Sequence, residues 1–303
     1  MAFFVLAADR QLARIPVDPV PPQAFSSELV PVDLDPDAPP GWILSGAWQL
    51  RGHDIAFRGL SGLAFDGDAL VAVSDNGLMV RFFPFGCEGP SEAAVRMIDP
   101  DSPYQDAEAL AVRGGAAFVA YEGTPILLRQ GGQPAQRFAL PGFARGNRGA
   151  EALFDTGSEL FAIGEDGRQA AVFRDGRLAP RGIRGSVDAP TGAARWPGRR
   201  DGLLLQRGFG IGGFRASVST LSITPGGDLV AGRPAYPLGL SWTDNAEGIA
   251  IRERTGGGHE VWIVTDDNAR PPQRSLLVRY DVPEGGWPFG DAGVNRPVAP
   301  SSD

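Results

Sequence analysis

The feature that most limits what this chain can fold into is an internal repeat. A short apolar run opens on a key residue followed at once by glycine or alanine, and that small residue falls at Gly62, Ala109, Ala152, Gly192 and Gly248. The intervals are 47, 43, 40 and 56 residues. Each start leads through a turn into a second apolar run, as in DGDALVAVSDN, RGGAAFVAYEG, TGSELFAIGED, RRDGLLLQRG and GGGHEVWIVTDDN, so each unit begins with a β-hairpin. A third run usually follows: GLMVRFF, PILLRQ, AAVFRD, ASVSTLSI, SLLVRYDV. Units of this length and content predict an all-β protein, a β-propeller of four-stranded antiparallel blades. The first strands are rich in Gly and Ala, as crowding round a common axis requires. Five repeats are visible, and a sixth blade could draw partly on residues 1 to 35. WILSGAWQL, residues 42 to 50, is expected to supply the outer strand that closes the ring onto the C-terminal unit. A two-sheet sandwich is the rival architecture, and the regular hairpin repeat fits it less well.

One domain is expected over residues 1–303. Residues 1–41 form an N-terminal segment available for closing strands, and residues 285–303 a turn-rich tail. With 42 glycines and 27 prolines and no collagen-like period, the composition is that of short strands joined by tight turns. All 28 basic residues are arginine, which excludes Schiff-base chemistry on a lysine and favours recognition of phosphate or carboxylate. A net charge of −8 argues against nucleic acid as a partner, no run is long enough to span a bilayer, and oligomeric state is not readable. The single cysteine, Cys87, excludes an internal disulfide and any Cys-type metal site.

The repeat carries acids. In a hairpin whose first strand leaves one face and whose second returns to it, residues opening the first lie near residues closing the second. Ser61 then matches Asp75, Glu108 matches Glu122 and Glu151 matches Glu165, each 14 residues apart. In the last unit Glu247 matches Asp266 and Asp267, and Arg207 stands in the fourth unit where the others place an acid. Like charges so crowded need a cation, an arginine or strong donors among them. Oxygen-only clusters suit Ca²⁺ or Mg²⁺, with Asn76, Asn147, Asn245 and Asn268 as further carbonyl ligands. Capping of neighbouring backbone N–H groups is the plainer role for any single acid. Arg145 and Arg148 lie in the loop before Glu151; Arg58, Arg215 and Arg274 are placed to reach the same rim.

Other chemistries find little support. His259 falls at the turn end of its hairpin, away from the acids, and His53 in a loop before the first unit. No G-x-S-x-G elbow is present. GFGIGGF, residues 208 to 214, leads into no helix and reads as a flexible loop near the rim. Trp42, Trp48, Trp196, Trp242 and Trp262 read as packing between blades.

The motifs GLSGLAFDGDALVAVSDNG, DAEALAV with FVAYEG, NRGAEAL with LFAIGED, and DNAEGIAI with VTDDN and QRSLLVRYD closely resemble the bacterial phytase-like family described by the esterase-like activity of phytase. The resemblance covers about residues 42 to 282 in order. It implies a β-propeller with an active site formed by repeated Glu and Asp positions, here Asp75, Glu108, Glu122, Glu151, Glu165, Asp244, Glu247, Asp266 and Asp267. It also implies export to the periplasm or beyond. MAFFVLAADR lacks a positive n-region, so it reads as a trimmed signal remnant or a first strand. In the fourth unit, where the family tends to have an acid before arginine, this chain has Gln206 before Arg207.

The expected function is a Ca²⁺-dependent phosphoester hydrolase, phytase-like or esterase-like, acting on a small-molecule substrate. Glu108, Glu122, Glu151, Glu165, Asp244, Glu247, Asp266 and Asp267 are the expected cation ligands. Glu108, Glu151, Glu247 and Asp75 are the expected catalytic residues, and Arg145, Arg148 and Arg207 would hold phosphate. The alternative is a non-catalytic propeller that binds a ligand or a protein and uses the cation as structural glue.

Overall fold

Every apolar run of the repeat becomes a strand. The computed structural model describes residues 24–25, 28–35, 37–51, 57–86, 89–99, 106–131, 135–143, 149–185, 188–268 and 270–284, and no α-helix occurs among them. Three strands precede the repeat: β1 (Ala24–Phe25), β2 (Glu28–Pro31) and β3 (Ile43–Arg51). The first blade is β4 (Leu60–Asp66), β5 (Ala69–Ser74), β6 (Leu78–Gly86) and β7 (Gly89–Met97). The second is β8 (Ala107–Arg113), β9 (Ala116–Tyr121), β10 (Ile126–Gln130) and β11 (Gln136–Ala139). The third is β12 (Ala150–Asp155), β13 (Leu160–Gly164), β14 (Gln169–Arg174) and β15 (Arg177–Arg184). The fourth is β16 (Ala189–Arg195), β17 (Gly202–Gly210), β18 (Gly213–Ile223) and β19 (Leu229–Ala231), with β20 (Tyr236–Pro237) also paired to β18.

The fifth blade is completed from both ends of the described chain. Its inner strands are β21 (Asn245–Glu253), β22 (His259–Asp266) and β23 (Leu276–Val282). The fourth is β3, antiparallel to β23 with Trp48 opposite Leu277. This is the closure expected of residues 42 to 50. β4 packs on β8, β8 on β12, β12 on β16, β16 on β21, and β21 back on β4, so the ring shuts with five blades. Residues 24–31 add no sixth blade, the alternative left open for residues 1 to 35: β1 extends the first blade beside β7, and β2 extends the fifth beside β3. A closed ring leaves no gap for another blade. The first ten residues, Cys87, His53 and the tail 285–303 lie outside the described residues.

The core is divided rather than central. Five apolar clusters each lie between two neighbouring blades, one for every interface of the ring. Trp48 of β3 stacks on Trp262 of β22, ring centroids 5.8 Å apart, in the cluster that joins the fifth blade to the first. Trp42 and Trp196 are buried too, but Trp242 departs from the packing role expected of it and stands 63% exposed. It belongs to the loop between β20 and β21, outside any blade.

Small residues let the inner strands meet. A Cβ on Gly62 would lie 2.5 Å from the backbone nitrogen of Leu110 in the next blade, and one on Gly248 would lie 2.9 Å from that of Leu63. Along the axis, side chains such as Ala109, Ala152 and Ile249 leave only about 10 Å³, no more than one water's worth of space. At this level the inner strands of the ring are closely packed.

Candidate active site

One backbone irregularity aims the key residues. In each blade the pairing of the first two strands slips by one residue, between Ser61 and Leu63, Ala107 and Ala109, Ala150 and Ala152, Pro190 and Gly192, and Ala246 and Gly248. A β-bulge there leaves one residue outside the ladder and redirects it: Glu108, Glu151, Thr191 and Glu247 in four blades, and Gly62 in the first, where the adjoining Ser61 stays paired with Val73. The key residues are Ser61, Glu108, Glu151, Thr191 and Glu247, and all five are buried. Asp75, Glu122 and Glu165 directly follow the second strands of their blades, Asp266 closes β22, and Arg207 holds the matching place inside the longer β17. Backbone bonds from Asp75 to Gly59, Glu122 to Asp106 and Glu165 to Gly149, with the pairs Ala189–Arg207 and Asn245–Asp266, put these five at equivalent positions. Two tiers of polar side chains thus surround one end of the hub.

Within the tiers the carboxylates converge. One oxygen each from Glu108, Glu122 and Glu151 lie within 4.8 Å of one another, and the same holds for Asp75, Asp106 and Glu108. The Ser61 hydroxyl donates to Asp75 at 3.1 Å and to Glu108 at 3.3 Å, tying the two blades' acids together. Burial, together with the charges of Glu151, Asp75, Asp106 and Glu122, pushes the Glu108 carboxyl well above the usual range. Glu151 is raised in the same way, by burial and then by Glu247, Glu122 and Glu165, with Arg207 opposing.

Among the described residues, Arg207 is the cation set between the two tiers. Its guanidinium contacts Glu247, donates to Asn245 Oδ1 at 2.8 Å and lies 3.5 Å from Glu165. It therefore links the third, fourth and fifth blades. Burial alone would lower its pKa, but Glu247, Glu151, Glu165 and Glu108 together raise it. Asn245 also donates to Glu247 at 2.6 Å, so its amide orients an acid rather than facing the grouped carboxylates.

Other expected residues are turned to other work. Asp244 accepts two bonds from Arg274, at 3.1 and 2.7 Å, and a third from the Ser241 backbone at 3.0 Å. Its charge is used to fix the loop that leads into β21. Asp267 pairs with Arg58 at 3.4 Å, and Asp266 accepts the Asn268 N–H at 2.7 Å. Gln206 bonds Ser219 and the Asp188 backbone within its own blade, since alternation along β17 turns it away from the side that Arg207 faces. Arg145, Arg148 and Asn147 lie outside the described residues.

Two members of the site carry no expectation from the sequence reading. Asp106 stands in a left-handed conformation, φ 79°, two residues before Glu108, where the fifth blade has Asn245 before Glu247. That D-A-E to N-A-E parallel is the signal that could have found it. Thr191 fills the fourth key position, and its hydroxyl has no hydrogen-bond partner among the described residues.

The donor set tests well for a cation. All donors are oxygens, and two ligands bound at 2.3–2.6 Å to one ion can lie no more than about 5 Å apart, a limit the grouped oxygens meet. The buried acidic cluster can therefore hold a metal ion.

Comparison with known proteins gives a family and a fold. Residues 55–269 match the model of a phytase-like family, described as esterase-like activity of phytase. No curated protein matches the chain in sequence. Among solved structures, the catalytic domain of the GH62 α-L-arabinofuranosidase of Coprinopsis cinerea is 12% identical, with 84% of this chain and 97% of that chain covered and a TM-score of 0.52. The glutaminyl cyclase of Myxococcus xanthus is 15% identical over 78% of this chain and 97% of that one, at a TM-score of 0.46. A virginiamycin B lyase from Staphylococcus aureus is 11% identical over 83% and 80%, at 0.44. The likeness to the arabinofuranosidase is one of fold.

Proposed function

Because the chain belongs to the phytase-like family defined by the esterase-like activity of phytase, we propose that it hydrolyses phosphoric esters at the acidic end of its hub, with a hard divalent cation, Ca²⁺ in the first instance. The observation that carries this reading is the convergence of Glu108, Glu122 and Glu151, from two blades, beside a buried arginine. Glu108, Glu122 and Glu151 would hold the cation, and Asp75 with Asp106 would complete the side of the site shared through Glu108. When bound, the cation neutralises the crowded carboxylates and polarises a phosphoryl oxygen.

The chain's own residues do the rest. Ser61 keeps Asp75 and Glu108 in register through its hydroxyl. Arg207, held by Glu247 and Glu165, presents a fixed positive charge where a phosphate oxygen would sit. Hydrolysis forms one bond from a water oxygen to phosphorus and breaks the bond from phosphorus to the ester oxygen. The water's proton passes to a carboxylate of the mouth, and the leaving alkoxide takes up a proton.

The test combines melting with turnover. Melting curves are recorded with EDTA and with Ca²⁺, and p-nitrophenyl phosphate, bis-p-nitrophenyl phosphate, a carboxylic ester and phytate are assayed. The expected result is Ca²⁺-dependent turnover of a phosphoester, reduced at least about 100-fold in kcat by Glu151→Gln with the fold intact. A Ca²⁺-dependent rise in Tm with no turnover of any of the four would overturn the enzyme in favour of a binding propeller.

A further inference from the structure

We infer that the β17–β18 hairpin is an apolar shelf that binds the organic group of the substrate, so that this site selects phosphoesters carrying an aryl or comparably apolar group. The inference rests on the phosphoester reading above. Residues 208–214 do not form the flexible loop that their glycines suggest. Phe209 pairs with Phe214 and Gly210 with Gly213, so the two strands run on beyond Arg207 to a tight turn at Ile211 and Gly212.

Alternation then decides which side chains share a face. Arg207 and Phe209 are two residues apart on β17, and Phe214 lies directly opposite Phe209, so all three stand on one face of the hairpin. The contacts agree: the Arg207 guanidinium carbon lies 5.9 Å from the Phe214 ring centroid, and the Phe209 and Phe214 rings are 5.1 Å apart. The face that offers a cation at the acidic mouth is thus continuous with an aromatic surface leading away from it. Trp242 flanks the same extension, since the Phe214 N–H donates to the Trp242 carbonyl at 2.8 Å.

This surface is left open. Among the described residues four large apolar side chains are exposed, and three of them, Phe209, Ile211 and Trp242, belong to this one extension and its neighbouring loop. Clustered exposure of this kind marks a binding surface, whereas single exposed apolar residues mean little. The occupant that fits is the apolar part of a molecule whose anionic part reaches Arg207. A phosphate alone would leave the shelf bare. A densely charged polyphosphate would set charge against Phe209 and Ile211.

The experiment uses the calcium-loaded full chain and two non-hydrolysable probes, phenylphosphonate and methylphosphonate, titrated calorimetrically. Phenylphosphonate should bind about 10-fold tighter than methylphosphonate, as expected when roughly half a phenyl ring's surface is covered. In the Phe209→Ser/Ile211→Ser double variant the ratio should fall below about 2-fold. Both positions are exposed, so the variant's Tm serves as the check that it folds. Equal affinity of the two probes for the unaltered protein overturns the shelf and leaves the phosphoester reading standing. Binding of neither probe removes both. A change in oligomeric state, seen by sedimentation, with the phenyl preference untouched reassigns the patch to contact between copies and also overturns the inference.

Discussion

Glu108 belongs to both groups of converging carboxylates, and that double membership sets what its replacement should do. In Glu108→Gln the shape is kept and the ionisable carboxyl is removed. Cation affinity should fall about 100-fold, because ligand charge count tunes such sites, while the metal-free protein at neutral pH should gain about 1 kcal/mol as the cost of burying an acid whose pKa the fold raises is removed. Calorimetric titration and denaturant unfolding measure the two halves of the prediction. Arg207 should behave in the opposite sense. Removing one partner of a buried ion pair leaves the other charges uncompensated, so Arg207→Met should cost about 3 kcal/mol in the metal-free protein. The freed Glu165 and Glu247 should then make the Tm more responsive to added Ca²⁺ than in the parent. A variant whose stability is unchanged in EDTA would show that the guanidinium is not the counter-ion of the ring.

At the scale of the element, the bulged first strand is the device on which the site depends. The bulge turns a residue out of the ladder, and the small residue beside it lets the neighbouring blade approach. Gly62 does both jobs: its φ is +37°, and a Cβ would meet the backbone of Leu110 and Ala109 at 2.5 to 3.0 Å. Gly62→Ala should therefore cost more than about 3 kcal/mol, since a whole blade would have to move. Gly67, at the following turn, has φ +59° but nothing within 4 Å of the added carbon, so Gly67→Ala should cost only about 1 kcal/mol. Urea unfolding of the two variants separates close approach from backbone strain. The hairpin β17–β18 teaches a related point. GFGIGGF looks unstructured by composition, yet its ladder continues to the last pair, because pairing across a hairpin needs backbone groups and not large side chains.

For the whole molecule, ring closure and charge are the two quantities to test. Trp48 lies in the closing strand and stacks on Trp262 at the joint between the last blade and the first. Trp48→Ala should lower the unfolding free energy by about 4 kcal/mol, and the loss should appear in one cooperative transition rather than in a blade that melts alone. The pH dependence follows from the raised carboxyls of Glu108 and Glu151. The folded metal-free protein keeps protons that the unfolded chain releases near pH 4.3, so its stability is full below that value and declines as pH rises through the raised pKa values. The Tm in EDTA should drop as pH rises above about 4.3, and saturating Ca²⁺ should flatten the profile by taking the place of the protons. A Tm in EDTA that rises over this window would contradict the assigned direction.

Much of this was legible before any coordinates. The period of the small residues, the hairpin after each start and the spacing of Glu108–Glu122 and Glu151–Glu165 are local patterns, and a strand's side-chain alternation carries them directly into three dimensions. WILSGAWQL could be assigned to the closing strand because a propeller closes its ring with a strand from the opposite end of the chain, and this apolar run precedes the first repeat. What the chain alone left undecided was which acids face one another and which face elsewhere. Asp244 and Glu247 stand three residues apart in one motif, yet Arg274 claims the first and Arg207 the second, from segments distant in sequence. Five blades rather than six was likewise settled only when β21 met β4, since closure is a property of accumulated inter-blade angles that no single repeat contains. Trp242 departs from its expected packing role for the same reason: exposure depends on what the rest of the fold brings alongside, and the residue stays 63% exposed. Local periodicity specified the strands and the order of the acids along the chain, while long-range packing chose their partners.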